Sequence, residues 1–444
     1  MVSVPRVVIA APSSGAGKTT VATGLMAAFR AAGLSVSPHK VGPDYIDPGY
    51  HALATGRRGR NLDPVMVGPS LIQPLFVHGS RGADIAVVEG VMGLFDGRGS
   101  SHEGSTAHVA ELLGAPVILV VDASSQSRSV AALVHGFSTY SGPGIAGVIL
   151  NRVASDRHEQ VLRSALADVP VLGVLRRDAS LTTPSRHLGL VPVAERSADA
   201  QATVDRLGAL VAASVDLDAV RQIACGAGDL VAAPWAPEAL QRPGRPVVAV
   251  AGGAAFTFAY AELTECLEAA GGQVVVVDPL HDVGLPEGTS ALVLPGGFPE
   301  VYADQLSDNQ PFLSSVRDHV QAGRATYAEC AGLLALCASL DGKPMAHCLD
   351  ATAAMTPQLT LGYRTVVAPA DTLVAEAGGS FTGHEFHRTT VEPRHGSPAA
   401  WLLEDGSSEG FAAGRSLVAS YVHLHPAGVP QLARNLLGAL VAVA

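Results

Sequence analysis

The chain has 444 residues, 48% of them hydrophobic and 16% charged, enough to bury cores in two or three domains of ordinary size. Its formal net charge is −11 and its Lys and Arg residues are scattered, so it lacks the basic face that phosphate-backbone binding needs and nucleic acid is not an expected partner. Five widely spaced cysteines with no C-x-x-C pair support neither a disulfide framework nor a cysteine zinc site.

The opening MVSVPRVVIA runs into a predicted strand with no charged leader region and cleavage site. No apolar stretch reaches the roughly 18 residues of a membrane span without a Gly, Pro or charge. A cytoplasmic protein with no membrane partner is expected. Continuous Val/Ile/Leu runs predict strands at 6–11, 35–41, 84–90, 116–122, 145–151 and 171–176, a pattern suited to a parallel sheet buried on both faces. Residues 196–235 read as helical, and APEALQRPGRP (236–246) reads as a linker. A second series of strands follows at 246–253, 272–280, 291–297, 324–332 and 416–425. The fold class is therefore α/β, with two doubly wound domains at 1–195 and 246–444 joined by 196–245.

Between the first strand and its helix lies APSSGAGKTT (11–20). Gly15 and Gly17 let the backbone bring N–H groups against phosphate oxygens, and the helix N-terminus adds its positive dipole end. Ser14, Gly15, Ala16, Gly17, Lys18, Thr19 and Thr20 are thus the expected ATP-binding loop, with Lys18 on the β/γ-phosphates and the Thr19 hydroxyl on Mg²⁺. The pattern departs from the usual spelling, because Pro12 stands where the first Gly belongs. Acidic residues follow two later strands: Asp44 and Asp47 in VGPDYIDPGYH, Glu89 and Asp96 in VEGVMGLFDG. In a parallel sheet such ends lie beside the first loop, where Asp47 and Glu89 can join Thr19 around Mg²⁺ and the other carboxylates can orient an acceptor. Lys40 is placed to neutralise a transferring phosphoryl group. Arg57, Arg58 and Arg60 offer a local grip on an anionic substrate.

In the second half, ATYAECAGLLAL (325–336) reads as strand, sharp turn at Cys330 and helix, an elbow expected to expose the sulfur and lower the thiol pKa at the helix N-terminus. Upstream, LPGGFPE (294–300) places Gly297 where backbone N–H groups can form an oxyanion hole. Downstream, ASYVHLHPAG puts His423 and His425 at a strand end as candidate bases. GHEFHRT (383–389) has its histidines three apart, the wrong spacing for a zincin site.

The absence of the first glycine resembles the deviant phosphate loop of the dethiobiotin synthetase and partitioning-ATPase branch, in which a residue placed like Asn151 contacts adenine. The order of the second half resembles class I glutamine amidotransferases, which add a Glu two residues after the His. That Glu is missing here: position 425 is His and 427 is Ala. Glu329, beside the nucleophile, is a candidate by proximity. The SYVH ending resembles that of amidotransferases acting on corrinoids, which favours His423 over His425.

Taken together, APSSGAGKTT, KVGPDYIDPGYH, VEGVMGLFDG, LPGGFPE, YAECAGLL, LTLGYR, GHEFH and ASYVHLH resemble the cobyrinate/hydrogenobyrinate a,c-diamide synthase family across essentially the whole chain. The resemblance implies a dethiobiotin-synthetase-like domain plus a glutamine amidotransferase domain. It implies ATP, glutamine and Mg²⁺, a corrin-type polycarboxylate macrocycle as partner, and a synthetase site containing Lys40, Asp44, Asp47, Glu89 and Asp96. A homodimer is compatible with it. Cobyric acid synthase, nickel-sirohydrochlorin a,c-diamide synthase and an ATPase switch with a ligand-binding amidotransferase-like half are the alternatives.

Overall fold

A computed structural model describes residues 2–177, 185–186, 189–190, 193, 197–240 and 244–438. The chain divides into two compact units, Met1–Ala236 and Pro237–Ala444. The boundary expected near 195 and part of the Pro-rich connection lie outside the described residues.

In the first unit the six expected runs become β1 (Arg6–Ala10), β2 (Val36–Val41), β4 (Ile85–Glu89), β5 (Val117–Asp122), β6 (Ile145–Val153) and β7 (Val171–Arg176), and a short strand not expected from the sequence, β3 (Arg60–Leu62), joins them. They form one sheet in the order β3-β2-β4-β1-β5-β6-β7, every pair parallel. β1 and β4 are buried along their whole length, as a sheet covered on both faces requires. The order puts β1 between strands reached in opposite directions, so a crevice opens beyond the carboxyl ends of β1 and β4. Helix α1 (Lys18–Ala31) follows β1, and α2 (Asp47–Thr55) follows β2. The stretch read as helical contains helices Ser197–Ser214 and Leu217–Cys225, and residues 226–236 are not helical. The first of these packs on α1 closely enough that a Cβ on Gly24 would meet Val211 Cγ2 at 2.4 Å.

The second unit has a six-stranded sheet in the order Gln273–Val277, Val247–Ala251, Thr289–Leu294, Ala325–Glu329, Leu417–Ser420, Phe411–Ala413. Only the last strand runs antiparallel. A second sheet departs from a purely doubly wound plan. It is built on a long antiparallel hairpin, Thr352–Val367 with Ser380–Glu392, which contains LTLGYR and GHEFH. The core of this unit runs from Leu292 and Leu294 through Ala328 and Leu333 to Ala419 and Tyr421.

Candidate functional site

Each unit carries one constellation of buried polar groups at the carboxyl ends of its parallel strands. In the first, β1 passes into a loop whose Gly15 and Gly17 both have positive φ, 78° and 103°. Gly17 is doubly constrained, because a Cβ there would lie 2.1 Å from Asn151 Nδ2. Lys18 is buried and donates to Ser13 O at 3.2 Å and Met92 O at 2.5 Å. Met92 itself holds a left-handed φ of 47°, unusual for a residue with a side chain.

The next shell joins β2, β4, α1 and α2. Thr19 Oγ1 donates to Glu89 Oε1 at 2.5 Å and lies 3.4 Å from Asp47 Oδ2. Lys40 Nζ donates to Asp47 Oδ2 at 2.8 Å, Glu89 Oε1 at 3.0 Å and Gly90 O at 3.1 Å. Asp44 stands 3.7 Å from the same ammonium and accepts the Ile46 and Asp47 amides, which shapes the entry to α2. His51 Nε2 lies 2.6 Å from Glu89 Oε2, with both side chains fully buried. Sequence reading passed over His51, although it stands four residues after Asp47 on one face of α2.

Burial and Lys40 lower the Lys18 ammonium to about 8. Burial alone would lower Lys40 too, but Asp47 and Glu89 outweigh it and raise it. Burial opposes ionisation of Glu89, yet Lys40 and His51 hold that carboxyl well below its usual range. Asp47 goes the other way, raised by burial and by Asp44.

The remaining expected residues sit around this centre. Asp96 Oδ2 accepts the Gly93 amide at 2.8 Å and acts electrostatically on Lys18. Asn151 Nδ2 donates to Ala16 O at 2.9 Å, and its Oδ1 accepts the Arg152 amide. The amide thus braces the phosphate loop. Arg57 donates to Gly79 O, Arg81 O and Ser35 Oγ, so it ties the fold together.

In the second unit three neighbouring strands end side by side. The pairings Leu294↔Ala328 and Glu329↔Ser420 bring the Gly296–Gly297 turn, Cys330 and the turn bearing His423 to one edge. Cys330 has φ 46° and ψ −98°, a strained elbow between Ala325–Glu329 and helix Ala331–Leu336. Its amide donates to Ser420 O at 2.8 Å. Gly332 lets the helix approach, since a Cβ there would lie 2.1 Å from Leu294 O.

Two expectations for the cysteine are corrected. The sulfur is not exposed: Cys330 is 3% accessible. Nor is the thiol lowered. Burial raises it, helped by Glu300, Glu329 and Glu385, and the Ala331 amide opposes only in part. That amide, the first of the helix Ala331–Leu336, is outweighed by burial.

His423 is fully buried and its backbone exchanges two 2.9 Å hydrogen bonds with His384. Its Nδ1 lies 3.5 Å from Glu329 Oε2. Its Cε1–Nε2 edge faces Gly296, where a Cβ would be 2.3 Å from Cε1 and 3.2 Å from Nε2. His425 is held elsewhere: its ring lies 4.4 Å from that of Tyr260, its Nδ1 accepts the Ala427 amide, and its Nε2 is 3.9 Å from Glu262 Oε2. The hairpin adds Arg364 Nε, 2.6 Å from Glu385 Oε2, and His387 stacked on Tyr421 at 3.7 Å. Neither motif announced this chemistry alone. The hairpin register sets Gly362 opposite Glu385 and Arg364 opposite Gly383, which brings Arg364 within reach of Glu385.

Among the described residues no three His, Cys, Asp or Glu side chains enclose a metal, and no helix is long and apolar enough to cross a membrane.

Residues 7–191 match the CobQ/CobB/MinD/ParA nucleotide binding domain family, and residues 247–429 match the CobB/CobQ-like glutamine amidotransferase domain family. The chain is 57% identical to a hydrogenobyrinate a,c-diamide synthase of Streptomyces coelicolor over 98% of its own length and 97% of that protein. It is 53% identical to one of Mycobacterium bovis, over 96% of each chain. A cobyrinate a,c-diamide synthase of Synechococcus is 41% identical over 97% of each. A nucleotide-binding unit and an amidotransferase unit in one polypeptide, aligned end to end with these relatives, mean that the chain belongs to the cobyrinate/hydrogenobyrinate a,c-diamide synthase family.

Proposed function

We propose that this chain is a glutamine-hydrolysing ligase that converts the a and c side-chain carboxylates of hydrogenobyrinate into amides at the expense of ATP. The relatives of higher identity bear the hydrogenobyrinate name, which supports reading that macrocycle in preference to cobyrinate. The observation that carries the reading is the coexistence of a phosphate loop backed by Lys40, Asp47 and Glu89 with a cysteine elbow whose strand pairs with the one leading to His423.

In the first unit the loop amides and Lys18 would bind the β/γ-phosphates, with Lys18 leaving the Met92 carbonyl for them. A substrate carboxylate oxygen attacks the γ-phosphorus, the bond to ADP breaks, and an acyl phosphate forms. Lys40 lies among the acidic groups where negative charge shifts in that step. The hydroxyl of Thr19 and the carboxylates of Asp47 and Glu89 converge as hard oxygen donors, which fits Mg²⁺. When bound, the ion offsets phosphate charge. Ammonia then attacks the acyl carbon and inorganic phosphate leaves, giving the amide.

In the second unit His423 would take the Cys330 thiol proton as sulfur attacks the glutamine side-chain amide. The raised thiol makes this base necessary at neutral pH. The same imidazole returns the proton to departing ammonia, and water hydrolyses the thioester to glutamate. Gly297 would offer its amide to the oxyanion. We place this reaction in the cytoplasm.

The test is amidation of hydrogenobyrinate and of cobyrinate with ATP, Mg²⁺ and either glutamine or ammonium salt, read by mass spectrometry. A diamide from both nitrogen sources is expected with hydrogenobyrinate. ATP hydrolysis without amide on either macrocycle would overturn the reading in favour of a switch.

A further inference from the structure

The geometry points to Glu329, the residue immediately before the nucleophile, as the carboxylate that orients His423 for glutamine hydrolysis. This inference rests on the reading of Cys330 and His423 as the hydrolytic pair. A histidine base needs its far nitrogen held, so that the tautomer is fixed and the imidazolium formed during reaction is stabilised. The position two residues after His423 cannot do this, because it is His425, whose own ring is engaged by Tyr260, Glu262 and the Ala427 amide.

Glu329 is built for the task from the other side. It is the last residue of the strand Ala325–Glu329 and is paired with Ser420, three residues before the histidine. Its Oε1 accepts from Tyr327 Oη at 2.5 Å and from the Leu424 amide at 2.9 Å. These two anchors fix the carboxylate plane and leave Oε2 as the oxygen turned to His423 Nδ1, 3.5 Å away. The Leu424 contact also ties the carboxylate to the backbone next to the base it serves. The opposite edge of the ring, Cε1 and Nε2, is pressed to the bare Cα of Gly296. Nδ1 on the carboxylate and Nε2 on the glycine turn is the orientation in which Nδ1 carries the proton and Nε2 accepts one. The separation is that of an ion pair and shortens to a charge-assisted hydrogen bond as the ring takes the thiol proton. Glu329 touches neither substrate nor sulfur in this scheme and is a positioning residue. The elbow thus supplies nucleophile and orienting carboxylate as consecutive residues.

Glu329→Gln tests this, because its carbonyl oxygen still accepts from Tyr327 and Leu424 while the charge facing Nδ1 is lost. The expected result is a fall of at least about a hundredfold in glutamine-dependent kcat, with KM for glutamine changed less than threefold (roughly 0.6 kcal/mol). Ammonia-driven amidation should be unchanged, which also reports an intact fold. Glu329→Asp, which keeps the charge, should recover at least about tenfold over the Gln variant. Glutamine-dependent kcat within threefold of the parent for Glu329→Gln, or an Asp variant no better than Gln, would overturn the inference. Cys330→Ala and His423→Ala run in parallel separate it from the reading beneath it. If both abolish glutamine use and Glu329→Gln does not, only the role of Glu329 falls; if neither does, the hydrolytic pair itself is wrong.

Discussion

Asn151 Nδ2 lies 2.9 Å from Ala16 O, so the end of β6 holds the backbone of the phosphate loop directly against the residue that follows it, Gly17. The loop is therefore shaped from outside its own sequence. Gly17→Ala must resolve a 2.1 Å contact with that amide and adopt φ 103°, a strain of about 1–3 kcal/mol. ATP-dependent amidation should fall at least about tenfold from either nitrogen source, with glutaminase activity retained. Undiminished ATP affinity by calorimetry would contradict this account.

Lys18 gives a pH signature. Its ammonium is lowered to about 8, first by burial and then by Lys40, so above that pH the nucleotide-free protein has a neutral amine there. ATP binding must then bring in a proton, and affinity should weaken as pH rises through about 8. Calorimetry in buffers of different ionisation enthalpy would detect the proton. Lys18→Ala should abolish amidation from ammonia as well as from glutamine, and product surviving that change would refute the assignment of the ATP site.

Gly296 faces His423 so closely that any side chain displaces the ring. Gly296→Ala should reduce glutamine hydrolysis by about two orders of magnitude while leaving ammonia-driven amidation intact, because the predicted 2.3 Å contact falls on Cε1. A variant with parental glutaminase activity would show that the ring position is not critical.

Glu409 is buried and its carboxyl is pushed up to about 7, mainly by burial, although the Ser420 hydroxyl and Tyr421 amide donate to it. Between its ordinary range and pH 7 the folded chain keeps a proton that the unfolded chain has released. This contribution is complete below the ordinary value and is lost as pH rises through about 7. Thermal unfolding should show a fall on the order of 1–3 kcal/mol across that window. Glu409→Gln should flatten it, and parallel pH profiles for the two proteins would exclude Glu409 as the source.

The first unit was legible because most of its strands are apolar runs, fully buried in β1 and β4, and its chemistry follows from where a parallel sheet puts strand ends. Lys40, Asp47 and Glu89 meet for that reason. His51 was missed because a lone histidine on a helix carries no signal until the carboxylate 2.6 Å from it is known. The hairpin was missed on different grounds. Thr352–Val367 is half exposed, with Leu359 and Leu361 open to solvent, so neither alternation nor a buried run marks it. Its partners come from register, which sequence spacing cannot supply. The thiol was misjudged because burial opposes the stabilising Ala331 amide, and only depth in the structure decides between them.

Glu89 has both oxygens engaged, one by Thr19 and Lys40 and the other by His51, in surroundings with no solvent access to its side chain. Its hydration shell was therefore removed when the first unit folded, not when a ligand arrives. Charge entering this crevice meets dipoles and ions already facing inward, so little solvent has to reorient in the proposed phosphoryl transfer. Stripping water from a buried carboxylate is thus a cost carried by the stability of the first unit and not repeated in each turnover.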